Sequence, residues 1–414
     1  MVKQRPVFFQ IYIKPDQVEA VTKLLNSGGN PSPPDGFFSF AKMKSVHFAR
    51  WLVVPALRDI KASIIYSANV DGSVANHLDE LVDMLTNDLD QILSHCIGYP
   101  SGNSLNRESR LSYLKGHSLS TPGFYVGAPN RTVEQIHNEA KLHTAVRDFV
   151  KEHGHEWKTS RKAYDAIKEF LAADHQWDWA REKYSLPKKK ILKMILFVLF
   201  VLAILPWLIL LILLIHFFYE RKAKPFGVSV NQLPLEHLAE LKDQEDIIYQ
   251  NQLSQVCETK GGLRKLGLHF FLWSTNFLAS NWLVHGELLG TPTIHFARWV
   301  LIDGGKRFVF FSNFDGSFDE YLGDFVDNSG WGLNAIYGAS KGYPRTSYVF
   351  LKGAYNISEF MGWGRKTQIP TAIWYSAYPW YGLQQIVSKT ELRTELFNSG
   401  QLNEAEIKEM LRRI

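Results

Sequence analysis

The 414-residue sequence predicts an α+β fold built twice in one chain. Three observations carry that reading. Phrases recur in the same order at an offset of roughly 245 residues, each half alternates strand-like with helix-like runs, and a long apolar segment separates the halves. Val46-His47-Phe48-Ala49-Arg50-Trp51 returns as Ile294-His295-Phe296-Ala297-Arg298-Trp299. Asn69-Val70-Asp71-Gly72-Ser73 returns as Asn313-Phe314-Asp315-Gly316-Ser317, and Gly98-Tyr99-Pro100 as Gly342-Tyr343-Pro344. Phe124-Tyr125 through Ala128-Pro129 matches Trp374-Tyr375 through Tyr378-Pro379.

The elements follow from residue type and period. Val7 to Ile13 is rich in β-branched and aromatic residues and stops at Lys14-Pro15-Asp16, so it reads as a strand. Val18, Val21, Leu24 and Leu25 recur at helical spacing over 16–25. Two strand-like runs follow, 46–54 and 63–70, and an amphipathic helix is expected over 74–95. A loop rich in Gly, Ser and Asn leads to a short strand at 123–127 and a helix from Arg131 onward. The second half repeats the order: strand 253–258, helix 263–284, strands 295–301 and 308–313, helix 318–339 and strand 371–376. This β-α-β-β-α-β order is that of a ferredoxin-like unit. Two such units commonly pair face to face, so one chain would supply both halves of an intramolecular dimeric α+β barrel. The units are placed at 1–150 and 223–414, with an amphipathic helical linker at 151–187 and a membrane segment at 188–222. Helix 266–282 stands out as too apolar for a solvent face, so it is expected against a membrane or the other half.

From Ile191 to Tyr219 the chain is nearly all apolar, with Pro206 in the middle. A straight helix of that length would reach roughly 40 Å, beyond the ~30 Å of a hydrocarbon layer, and the proline favours a kink. Two readings are open: a tilted single span with the repeats on opposite sides, or a kinked hairpin with both on one side. Basic residues at both ends (Lys188, Lys189, Lys190, Lys193, Arg221, Lys222, Lys224) favour the hairpin, with both soluble units cytoplasmic. The net charge of +5 lies mostly there, which argues against a nucleic-acid partner and for the lipid bilayer. Cys96 and Cys257 occupy non-equivalent positions and form no C-x-x-C pair, which suits a reducing compartment. No signal peptide is visible ahead of the first strand. P-loop, dinucleotide, H-E-x-x-H and G-x-S-x-G patterns are missing, so nucleotide chemistry and serine hydrolysis have no support.

The chemistry-bearing residues that recur are His47, Arg50 and Asp71 with their copies His295, Arg298 and Asp315, joined by Asn69 and Asn313. Strand alternation puts His, Ala and Trp of the His-Phe-Ala-Arg-Trp phrase on one face, and Phe and Arg on the other. A histidine facing inward could ligate iron or act as a base, and an arginine could pair with the aspartate of its own corner. Each has a structural account too: a bonded core histidine, a structural ion pair, a Gly accepting φ > 0, and an Asp or Ser capping the next helix. His77, His95, His269 and His285 lack repeat partners of their own type and are read as incidental.

These phrases resemble those of an uncharacterised bacterial family in the dimeric α+β barrel superfamily. That superfamily includes antibiotic-biosynthesis monooxygenases, chlorite dismutases and dye-decolourising peroxidases. The peroxidases carry a G-x-x-D-G motif whose aspartate works beside haem; here the matching stretches, 68–72 and 312–316, lack the leading glycine. The resemblance implies the fold, and it admits haem as a cofactor, with His295 or His47 as ligand, Asn313 beside it, Asp71 or Asp315 as acid/base, and Arg298 or Arg50 stabilising charge. Two functions follow. The preferred one is a membrane-attached barrel that binds a hydrophobic small molecule or lipid, or scaffolds. The alternative is an oxidative enzyme, peroxidase-like with haem or monooxygenase-like without cofactor, acting on a membrane-derived substrate. An open or a filled barrel interior separates them.

Overall fold

The computed structural model describes residues 2–184, 188–283, 288, 290–397, 400 and 402–414. The first half contains β1 (Gln4–Tyr12), α1 (Val18–Asn26), β2 (Val46–Val54), β3 (Ser63–Asp71), α2 (Val74–Met84), α3 (Thr86–Leu93), α4 (Arg107–Gly116), β4 (Gly123–Val126) and α5 (Val133–His153). Helices α6 (Ser160–Ala172), α7 (Ile191–Ala203), α8 (Leu205–Ile215) and α9 (Leu235–Lys242) connect the halves. The second half runs β5 (Gln250–Glu258), α10 (Leu263–Asn281), β6 (Ile294–Ile302), β7 (Arg307–Asp315), α11 (Phe318–Tyr337), β8 (Thr346–Ser347), β9 (Leu351–Lys352), α12 (Ile357–Thr367), β10 (Ile373–Ser376), α13 (Leu383–Phe397) and α14 (Glu404–Leu411).

Two four-stranded antiparallel sheets form, in the orders β1-β3-β2-β10 and β4-β6-β7-β5. The short last strands do not pair within the stretches 1–150 and 223–414 that hold them. β4 leaves its own half and pairs with β6, Gly123 opposite Trp299, while β10 pairs with β2, Ile373 opposite Trp51. A four-residue strand carries little edge preference of its own, so the packing of the following helices decides which edge it joins. The sheets pack face to face through Phe8, Leu52, Val54 and Ile65 against Val300, Ile302, Val309 and Phe311. Outside them, α1 to α4 cover one sheet, and α10 to α12 the other.

The expected helix over 74–95 is two helices, broken at Leu85, and α4 lies in what reads as a loop. Residues 151–187 are expected to lead into a membrane. Instead α6 packs into a third core, with Tyr164, Ile167 and Leu171 against Leu392, Leu396, Ile407 and Met410. Val284 and residues 185–187 lie outside the described residues.

Among the described residues, no single helix is long and apolar enough to cross a membrane; α7 and the α8 segment through Glu220 would pass together but bend by 60°. The break falls at Ile204, two residues before Pro206. Both ends of this bent pair are tied to α10. The amide of Lys190 donates to the Asn281 carbonyl at 3.0 Å, and the amide of Leu263 to the Tyr219 hydroxyl at 3.2 Å. Arg264 pairs with Glu220 at 2.7 Å.

Candidate functional site

The recurring polar residues meet at one end of the seam between the sheets. A β-bulge lies between Val46 and Phe48, and another between Ile294 and Phe296. The extra residue in each is the histidine. Simple alternation would place His47 with Ala49 and Trp51, but the bulge turns it toward Phe296 and Tyr378 at the seam. His295 is turned likewise, with Phe48 beside its ring.

Each histidine meets the aspartate of its own half: His47 Nε2 to Asp71 Oδ1 is 3.0 Å, and His295 Nε2 to Asp315 Oδ1 is 2.7 Å. The second carboxylate oxygen accepts a backbone amide at the start of α5 or α13: Val133 N to Asp71 at 2.9 Å, Leu383 N to Asp315 at 2.7 Å. The positive helix N-terminus and the imidazole thus share one carboxylate, buried at Asp315 and half-buried at Asp71. The rest of the corner serves backbone geometry. Gly72 and Gly316 hold φ of 85° and 81°, and Ser73 and Ser317 cap α2 and α11.

Neither arginine meets the aspartate of its own corner, and the reason is reach: both cross the seam. Arg50 donates to the carbonyls of Leu253 and Ser312 at 2.8 and 2.9 Å, and to Asn313. Arg298 donates to the carbonyls of Val7 and Ala68, both at 2.8 Å, and to Asn69. These are the same positions in opposite copies. Each guanidinium is 2 % exposed and bonded to neutral acceptors, so burial lowers its proton affinity; for Arg50 the nearby Arg298 adds to this. Asn313 also accepts from Trp374 Nε1 at 3.0 Å, which accounts for its side-chain oxygen.

Tyr378 breaks the symmetry. Its hydroxyl lies 2.9 Å from His47 Nδ1, giving a Tyr378–His47–Asp71 chain, whereas the matching residue in the first copy is Ala128. A carboxylate only accepts, so the neutral ring donates from Nε2 and accepts the Tyr378 proton at Nδ1. Burial, then Asp71 and Asp315, hold the phenol well above its ordinary value, so it stays protonated. Sequence reasoning missed Tyr378; the available signal was that Ala128 stands at its position just before the shared proline. Asp71 also borders an open surface cleft of about 750 Å³, shared with Glu80, Glu134, His137 and Lys141.

The incidental histidines behave as such where described: His77 bonds Tyr66 at 2.8 Å and His95 bonds Gln17 at 2.8 Å, while His269 is exposed. His285 lies outside the described residues. The residues do not fit a haem. Both nitrogens of His47 are engaged, and His295 spends Nε2 on Asp315 within a packed cluster of Phe48, Phe296 and Trp374. No protein-family model, curated protein or solved structure matches this chain.

Proposed function

We propose that the chain is a membrane-docked lipid-binding module. It would consist of two ferredoxin-like units that have exchanged their last strands and closed on each other as an intramolecular dimeric α+β barrel. The observation that carries this is the apolar face of α7 and α8. Leu192 and Trp207 are 70 % and 72 % exposed, and Leu196, Leu199, Leu202 and Phe218 are exposed beside them. So large a continuous apolar surface is rare on a water-facing monomer and marks an interaction site. Exposed Lys188, Lys189, Lys190 and Lys193 precede it and Arg221, Lys222 and Lys224 follow, as anionic headgroups would require.

Interlaced strands support the same-side arrangement. Chain from before and after the bent pair contributes to both sheets, which favours both halves on one side of a bilayer. The filled seam supports binding over oxidation: Arg50, Arg298, Phe8 and Phe311 occupy the space an interior substrate chamber would need.

Vesicle flotation tests the reading. The full chain is expected to float with vesicles containing phosphatidylglycerol. Replacing Lys188, Lys189 and Lys190 by Gln should weaken partitioning about 100-fold, at about 1 kcal/mol per cation. A chain that stays in the aqueous fraction at low salt would overturn the proposal.

A further inference from the structure

Resting on that docking, the geometry points to a specific lipid site: we infer that the cavity between α10 and α11 takes the acyl chain of a bilayer lipid. Helix α10 presents two adjacent stripes. Phe270, Trp273 and Phe277 form one with Phe197 and Phe200 of α7, and Phe271, Ser274, Thr275 and Leu278 line a cavity of about 100 Å³ against α11. Its walls are almost wholly carbon, closed below by Trp299 of β6. Trp331, 47 % exposed, stands at the rim. Phe271 also packs with Leu211 and Ile215 of α8, so the opening adjoins the surface proposed to meet the membrane.

The repeat shows what distinguishes this wall of the cavity. With the offset that matches Gly98 to Gly342, Leu85 corresponds to Ser329 and Leu89 to Leu333. Both copies break their helix at this point, at Leu85 between α2 and α3 and at Ser329 within α11. In the first half Leu85 is buried with Leu81 and Leu89. In the second half the smaller Ser329 lines the cavity. A void lined by carbon forfeits contacts on every wall, so an apolar occupant is favoured over water. Of the apolar molecules available, a bilayer lipid is the one the flanking cations and the adjoining face would supply.

The test uses the full chain on phosphatidylglycerol-containing vesicles doped with a phospholipid bearing a photoactivatable diazirine near one acyl terminus. Adducts are mapped by peptide mass spectrometry. Adducts are expected over residues 271–278 and 331–333, falling at least tenfold in Ser329→Leu, which puts a larger side chain at the cavity wall, with flotation unchanged. Leu278→Trp, plugging from the other wall, should do the same and guards against misfolding of the first variant. Adducts confined to α7 and α8 in a chain that floats would overturn the cavity site and leave docking intact. Failure to float would overturn both. Labelling of the cavity by a free diazirine fatty acid without vesicles, and not by the phospholipid, would overturn supply from the bilayer.

Discussion

Helices α1 and α10 hold the same place in the repeat and have become different objects. The first has nine residues and buries only Val21 and Leu25, while its other side faces water. The second has nineteen and lies between the apolar pair α7–α8 and α11. Beneath them the interiors match: bulged histidine, doubly bonded aspartate and crossing arginine recur in both copies. The interior of each half is the binding partner of the other, so a change in one copy leaves a buried group unmatched in its mate. An outer face has no such mate and is free to diverge.

The sharpest way to break the matched interior is Arg298→Ala beside Arg50→Ala. Each strips a buried side chain and takes a donor from two carbonyls and an amide oxygen, although Asn313 keeps Trp374 as a donor when Arg50 is lost. Each should cost about 3–5 kcal/mol in urea denaturation. A gap of more than about 2 kcal/mol between them would show that the crossing is not equivalent in the two halves.

His77 tests the converse, since its repeat position holds Tyr321. Burial lowers the His77 pKa from 6.5 to about 3. The unfolded chain therefore binds a proton that the folded chain refuses in that window, and stability falls as pH drops below 6.5. His77→Gln should gain about 3 kcal/mol relative to the wild type between pH 7 and pH 4, at roughly 1.4 kcal/mol per unit. Parallel stability curves for the two proteins would refute this.

Tyr378→Phe removes an asymmetric partner and leaves His47 Nδ1 buried without its donor. About 1–2 kcal/mol is expected, and no measurable loss would make the Tyr378–His47–Asp71 chain incidental to stability. The smallest effect belongs to the caps. Ser73→Ala and Ser317→Ala should each cost about 1 kcal/mol, and thermal melts that separate them would show that the corners have diverged too.

Local signals determined a good part of this protein. The hairpin strand 46–54 was legible to the residue, because β-branched and aromatic residues bounded by polar ones mark a strand whatever it pairs with. The Asp-Gly-Ser corners, the apolar segment and its break beside Pro206 were legible for the same reason. Residues far apart in the chain decided the rest. The bulge that turns His47 exists only against β3, Arg50 finds its acceptors more than 200 residues away, and β4 and β10 take the edge of the opposite sheet. The cavity exists only where α10 lies beside α11, residues far apart in the chain. Hydrophobic period and turn chemistry act within a few residues, so they fix elements. Register, sheet edge and side-chain partner depend on which surfaces meet, and those are defined only once the chain has packed.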